Sequence, residues 1–188
     1  MPAGTVFTTS IDGTNYQFVT IADITASNTG NAVIFKDTRI YEGSYITTKY
    51  TVDSTDVDQR FTLLDSRADT STLTVKVQNS STDTTTFTYT KATDITQLTS
   101  SSRVYYLQEV ENNRYEIYFG DGVVSSALSD GNIVEMKYVV TNKTAANGAS
   151  SFTSPSAIDS VTDISLTVIS SAFSGAEPET ISYIKKTA

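Results

Sequence analysis

RVYYLQEVENNRYEIYFGDGVV, Arg103 to Val124, contains two β-prone runs parted by Glu111-Asn112-Asn113 and closes on an aspartate held between two glycines. How the runs pair decides both the fold and the chemistry. If Asn112-Asn113 form a two-residue turn, Glu109 lies opposite Glu116, with Cβ atoms about 5 Å apart. That spacing matches the carboxylate pair of a retaining glycosidase, about 5 Å apart. If Glu111, Asn112 and Asn113 form a three-residue loop with Asn113 left-handed, Leu107 faces Ile117 and Tyr105 faces Phe119. The second register is physically better, because it builds one apolar face and avoids opposing like charges. It also sets Tyr106 beside Tyr118 on the other face, as a sheet-stabilising pair or as an aromatic surface for a sugar or a protein.

Gly120-Asp121-Gly122 directly follows a strand-like run. Its spacing fits neither a GxxxxGK[ST] phosphate loop nor a GxGxxG opening a helix, and it lacks the alternating oxygen ligands of a calcium loop. Glycines around an aspartate permit positive φ and a side-chain-to-backbone bond, so a tight turn is expected. The acidic run DSTDVD, with Asp53, Asp56 and Asp58, lacks the glycine and terminal glutamate of a dedicated calcium loop and is expected to be solvated.

Outward from this ribbon the same period-two pattern recurs. In TLTVKVQ, Leu73, Val75 and Val77 alternate with Thr72, Thr74, Lys76 and Gln78, the signature of a strand with one buried face. TFTYT answers it with Phe87 and Tyr89 inward, and NIVEMKYVV places Val134, Met136, Tyr138 and Val140 on one face. Near the start, Asp12-Gly13 between TVFTTS and NYQFVT is a hairpin signal. AVIFKDTRIYEG and SYITTKYTV, parted by Gly43, extend this to an expected meander over the first fifty residues. Asp94 is placed to cap a short helical turn carrying Ile95 and Leu98. After a polar connector, DISLTVIS is expected to resume as a strand. In GAEPETISYIKKTA, Pro178, Glu177 and Glu179 suit a first helical turn, and Ile181 with Ile184 begin an apolar stripe.

Composition narrows function further. The 188 residues carry no cysteine and no histidine, which removes thiolate nucleophiles, the Ser-His-Asp relay and the usual zinc sites. A net charge of −8 repels phosphate backbones, and no basic cluster offsets it, so nucleic-acid binding is not expected. No apolar run approaches the roughly 20 residues of a membrane span, and the N-terminus lacks a signal core, so a soluble, unexported chain is expected. No catalytic residue, cofactor, metal or small-molecule substrate is assigned.

Several strings carry a resemblance: PAGTVFTT, IYEGSYITTKYTVD, DTSTLTVKVQNS, SRVYYLQEVENNRYEIYFGDGVV, LSDGNIVEMKYVVTN, ANGASSFT and GAEPETISYIKKTA. Together they resemble the baseplate wedge subunit of contractile-tailed phages of the T-even type. The outer pieces, PAGTVFTT with DGTNYQFVT and GAEPETISYIK, are also similar to the broader baseplate J-like family. The resemblance implies an all-β, mainly antiparallel chain with minor helix, built as two small modules and ending in a helix start. Residues 1–52 plus 141–188 would form an outer, discontinuous baseplate J-like module, and 53–140 an inserted one. Members of the family are longer, so a fragment is expected. The implied role is a non-enzymatic virion scaffold that meets copies of itself and other wedge proteins around the tail hub and rearranges when the sheath contracts. It would reside in the tail baseplate, and in host cytoplasm during assembly. Tyr106, Tyr118, Ile181 and Ile184 are the candidate partner contacts. A carbohydrate- or receptor-binding module of the tail is the alternative.

Overall fold

The computed structural model describes residues 1–26, 30 and 32–177; the expected helix start with Pro178, Glu179, Ile181 and Ile184 lies outside them. Ten strands are formed among the described residues: β1 (Val6–Ile11), β2 (Thr14–Val19), β3 (Tyr41–Glu42), β4 (Ser44–Thr51), β5 (Phe61–Thr62), β6 (Ala68–Gln78), β7 (Thr86–Lys91), β8 (Val104–Val110), β9 (Arg114–Tyr118) and β10 (Ile133–Val140). The only helical pieces among these residues are two single 3-10 turns, Ile95–Gln97 and Glu111–Asn113. The first is capped as its sequence requires, Asp94 accepting from the Thr96 amide at 2.9 Å. Apart from these turns the described residues are β or irregular, in keeping with a sequence rich in threonine and serine, whose hydroxyls suit strand faces and turns.

The chain divides into two compact units, residues 1–44 with 141–188, and residues 45–140. In the first, β1, β2 and β3 form an antiparallel sheet. Its hairpin turns at Asp12 (φ 49) and Gly13 (φ 80), the double positive φ of a type I′ turn, which suits Asp-Gly because glycine has no Cβ and aspartate tolerates the left-handed region. Met1, Phe7, Phe18, Ala146 and Ala149 form its core, with Phe152 edge-on to Phe18 at 4.9 Å. Two expectations are corrected here. Within AVIFKDTRI, no strand forms among the described residues; Tyr41–Glu42 is the first strand after β2. DISLTVIS, residues 163–170, has no strand either. Both have the right side chains, but alternation alone does not make a strand: a ladder needs a partner backbone to pair with along several residues.

In the second unit seven strands run in the order β4-β10-β6-β7-β8-β9-β5. The expected early meander therefore stops at β3: after Gly43 (φ 124) the chain leaves that sheet, and β4 pairs with β10. Neighbours are antiparallel except β7 and β8, which run parallel. Residues 92–103 connect them, matching the crossover of about a dozen residues that a parallel pair requires. The sheet curls until its two edge strands nearly meet. Tyr50 on β4 donates its hydroxyl to the Thr62 carbonyl on β5 at 2.8 Å, and its ring lies edge-on to Phe61 at 5.7 Å. Inside, Phe61 meets Phe119 at 5.6 Å and Phe119 meets Tyr89 at 5.3 Å, all edge-to-face. The alternating residues read from sequence form this interior: Val75, Val134, Met136, Tyr138 and Ile117 are fully enclosed, joined by Leu63, which no alternation marks.

One irregularity is built into the longest strand. The β6–β10 register runs Lys137↔Thr74, then breaks and resumes at Val139↔Asp69, a bulge that leaves the Val139 amide without its ladder partner. The buried Thr72 hydroxyl replaces that partner, accepting from Val139 N at 2.9 Å and donating to the Asp69 carbonyl at 2.7 Å. Thr72 was expected to point outward with Thr74, but the bulge turns it inward. Thr72→Val keeps the shape and strands a buried donor, so it is expected to lower stability by about 1–3 kcal/mol. A urea titration in which Thr72→Val matches the parent would contradict that role.

Candidate functional site

The ribbon quoted at the outset adopts the three-residue loop. Tyr106↔Tyr118, Leu107↔Ile117, Gln108↔Glu116, Glu109↔Tyr115 and Val110↔Arg114 are opposed, and both Asn112 (φ 64) and Asn113 (φ 55) are left-handed. Because successive side chains in a strand alternate faces, Glu109 lies on the face of Leu107 while Glu116 lies on the face of Tyr118. The two carboxylates cannot flank one bond. Glu116 instead accepts from Gln108 Nε2 at 2.5 Å and lies 3.7 Å from Arg60 Nε.

On the outer face the Tyr106 and Tyr118 rings stack, with centroids 5.1 Å apart and planes 19° from parallel. The Arg60 guanidinium covers Tyr118, 4.5 Å from its centroid. A planar cation over an aromatic face is a favourable electrostatic contact, and the three groups form a layered patch. Arg60 belongs to no motif in the sequence; only the β5–β9 pairing, Phe61↔Ile117 and Thr62↔Glu116, brings it there.

The Gly120-Asp121-Gly122 bend has a structural explanation for each residue. Asp121 Oδ1 accepts from Val123 N at 2.9 Å, and that amide holds its carboxyl below the ordinary range. Gly122 (φ 88) donates its amide to the Ser125 carbonyl at 2.9 Å. Gly120 gives Ser125 room: a Cβ there would overlap Ser125 Oγ and come 2.9 Å from Ser125 O. Ser125 is fully buried and 3.3 Å from the Tyr106 hydroxyl. The bend is thus tied to the tyrosine stack, and within it Val123 is 74% exposed.

Asp121 is one case of a device used around the whole unit. Asp53, Asp56, Asp65, Asp69, Asp83 and Asp94 each accept the amide two residues on, from Thr55, Asp58, Arg67, Ser71, Thr85 and Thr96. These are Asx turns, in which a short carboxylate satisfies a nearby backbone amide, in loops and, at Asp69, in the irregular start of β6. In Asp53, Asp69 and Asp94 the hydroxyl of that second residue also donates, at 2.6, 2.7 and 2.6 Å. Two of the three aspartates of DSTDVD, Asp53 and Asp56, are used this way. Among the described residues no three acidic side chains are grouped to hold a metal ion.

These bonds favour the ionised carboxylate. Asp53, Asp83 and Asp94 are lowered from 3.8, chiefly by side-chain bonds from Thr55, Asn79 and Thr96, and Asp65 chiefly by Arg67. A carboxyl with a depressed folded-state pKa stabilises the fold above its unfolded value, and that contribution drains away as pH falls through the folded value. Unfolding midpoints are therefore expected to be flat near neutrality and to fall steadily below about pH 4. Thermal melts unchanged from neutrality down through that range would contradict it.

Residues 45–150 match the family of the bacteriophage baseplate wedge protein gp6, third domain, which covers more than half of the chain. The chain belongs to this family. No curated protein matches it individually. The matched region includes the whole barrel-like unit and the first residues after it, so the layered tyrosine patch and the Gly120–Gly122 bend belong to a gp6-type wedge domain. This gp6-family chain is a structural component of the phage baseplate, not an enzyme, and its place is the virion tail. As a baseplate component it binds other baseplate proteins.

Proposed function

We propose that the domain is a rigid assembly scaffold of the wedge: it joins copies of itself and other wedge proteins into the ring around the tail hub and moves with that ring on sheath contraction. In this reading the chain ends, 1–52 and 141–188, form a baseplate J-like module interrupted by the 53–140 module, and assembly begins in the host cytoplasm. The observation that carries it is the patch on the barrel wall. Arg60, Tyr118 and Tyr106 are layered, the bend held to Tyr106 through Ser125 carries exposed Val123 and Val124, and tyrosine and arginine are among the side chains that most often anchor protein interfaces. Ile181 and Ile184 remain proposed contacts of the same kind.

The patch suits a protein better than a sugar. A glycan platform needs an open ring face, whereas the two rings stack on one another and the Arg60 guanidinium lies over Tyr118. In the full-length subunit, Tyr106→Ala with Val123→Asp is expected to weaken co-assembly with purified wedge partners about tenfold or more. Unchanged assembly by a folded double variant would sink the interface. Glycan-array binding lost on Tyr106→Ala would favour the carbohydrate alternative instead.

A further inference from the structure

Asn147-Gly148 is the single Asn-Gly pair in the sequence. Such a pair is prone to self-modification, since a glycine amide has no Cβ shielding it. The deprotonated Gly148 nitrogen attacks Asn147 Cγ, a C–N bond forms, and the side-chain nitrogen leaves as ammonia. Water then opens the resulting succinimide to aspartate or isoaspartate. No oxidant or reductant is needed; water is the only co-reactant.

Both reacting groups are occupied in the fold. Asn147 Nδ2 donates to the Gly175 carbonyl at 2.9 Å and Oδ1 accepts the Gly175 amide at 3.0 Å, so the side-chain amide pairs with a backbone as a strand would. The Gly148 amide donates to the Ala172 carbonyl at 2.8 Å, and Ala172 N returns a bond to Ala149 O at 2.7 Å. Lys143 Nζ holds Glu177 at 2.9 Å. The approach is so close that a Cβ on Gly175 would overlap the Lys143 carbonyl oxygen and come 2.7 Å from Asn147 Oδ1. Residues 172–177 are clipped onto the 142–149 turn, with Asn147 at the centre.

We propose that Asn147 is a latent deamidation site guarded by this clip, and that its reaction makes opening of the clip irreversible. While the clip is closed, the Gly148 amide is bonded away and the Asn147 carboxamide is held in another direction. When the clip opens, the reaction becomes available. Its product cannot re-form the pairing, because a carboxylate has no proton to donate to the Gly175 carbonyl and sets negative charge against it.

The test is peptide mass spectrometry of the intact chain held at mildly alkaline pH, following conversion at Asn147. Chemistry that requires local opening is slowed by the population of the open form, so Asn147 is expected to convert about tenfold or more slower in the folded chain than in urea. Glu177→Gln and Lys143→Ala, which remove the ion pair and leave the Asn147 and Gly148 hydrogen bonds in place, should accelerate it several-fold, and Gly175→Ala should approach the unfolded rate. Equal rates folded and unfolded would overturn the proposal. So would parental rates in Glu177→Gln and Lys143→Ala proteins whose circular dichroism is native, and these two variants carry the test if Gly175→Ala does not fold.

Discussion

Phe61→Ala is expected to cost the barrel-like unit about 3–5 kcal/mol, seen as a large drop in the urea midpoint of unfolding. Phe61 is only 2% exposed and stands on a strand of two residues, so its ring rather than its ladder holds β5 in place. The ring touches Tyr50 on the opposite edge strand and Phe119 in the interior, and edge-to-face pairs add about 0.5–1.5 kcal/mol beyond burial. Removing it opens a cavity at the point where the sheet nearly closes. Small domains have only about 5–15 kcal/mol in total, so roughly a fifth or more of the stability is at stake. A loss below about 1 kcal/mol would mean that β5 is held by something other than this aromatic chain.

Gly120→Ala should be the second most damaging change, at or above the upper end of the roughly 1–3 kcal/mol typical of overpacking. The new methyl would collide with a buried serine whose own position is fixed by the Gly122 amide and the Tyr106 hydroxyl. Relief must come from moving Ser125, and that displaces the tyrosine stack. Near-ultraviolet circular dichroism should therefore change along with the melting temperature. Gly122→Ala is the informative contrast. Its Cβ would meet only Ala127 Cβ at 3.6 Å, so its cost is the left-handed backbone alone, about 1–2 kcal/mol, with the stack intact. If the two variants behave alike, the distinction drawn between the two glycines fails.

What the sequence made legible was local. The Asp12-Gly13 hairpin, the inward Val75 and Val77, the Asp94 cap and the three-residue loop at Glu111–Asn113 all follow from turn chemistry and period-two alternation, which act over a few residues. What it concealed was partnership. Alternation says which face of SYITTKYT is buried but not that its neighbour is β10, some ninety positions on. It makes DISLTVIS look like a strand although no ladder is assigned there. The bulge at Thr72 is invisible for the same reason, since it exists only against Val139.

The candidate site divides the same way. Tyr106 beside Tyr118 follows once the register is chosen on charge and burial, but Arg60 arrives from a different strand, and no spacing rule connects it to them. The recurrent Asp-x-Ser/Thr turns were present in the string at Asp53, Asp69, Asp83 and Asp94. Their common meaning emerges only when each carboxylate is seen to accept the amide two residues on.

The central claim is that this gp6-family domain works as an inert scaffold whose outer tyrosine patch meets protein. The most direct measurement is a side-chain-resolution map of the intact baseplate that contains it. The account expects residues 45–140 within the wedge, with Tyr106, Tyr118 and Val123 packed against a neighbouring protein. A map in which that patch faces solvent, with a sugar or a divalent ion gripped by Asp121, would contradict it.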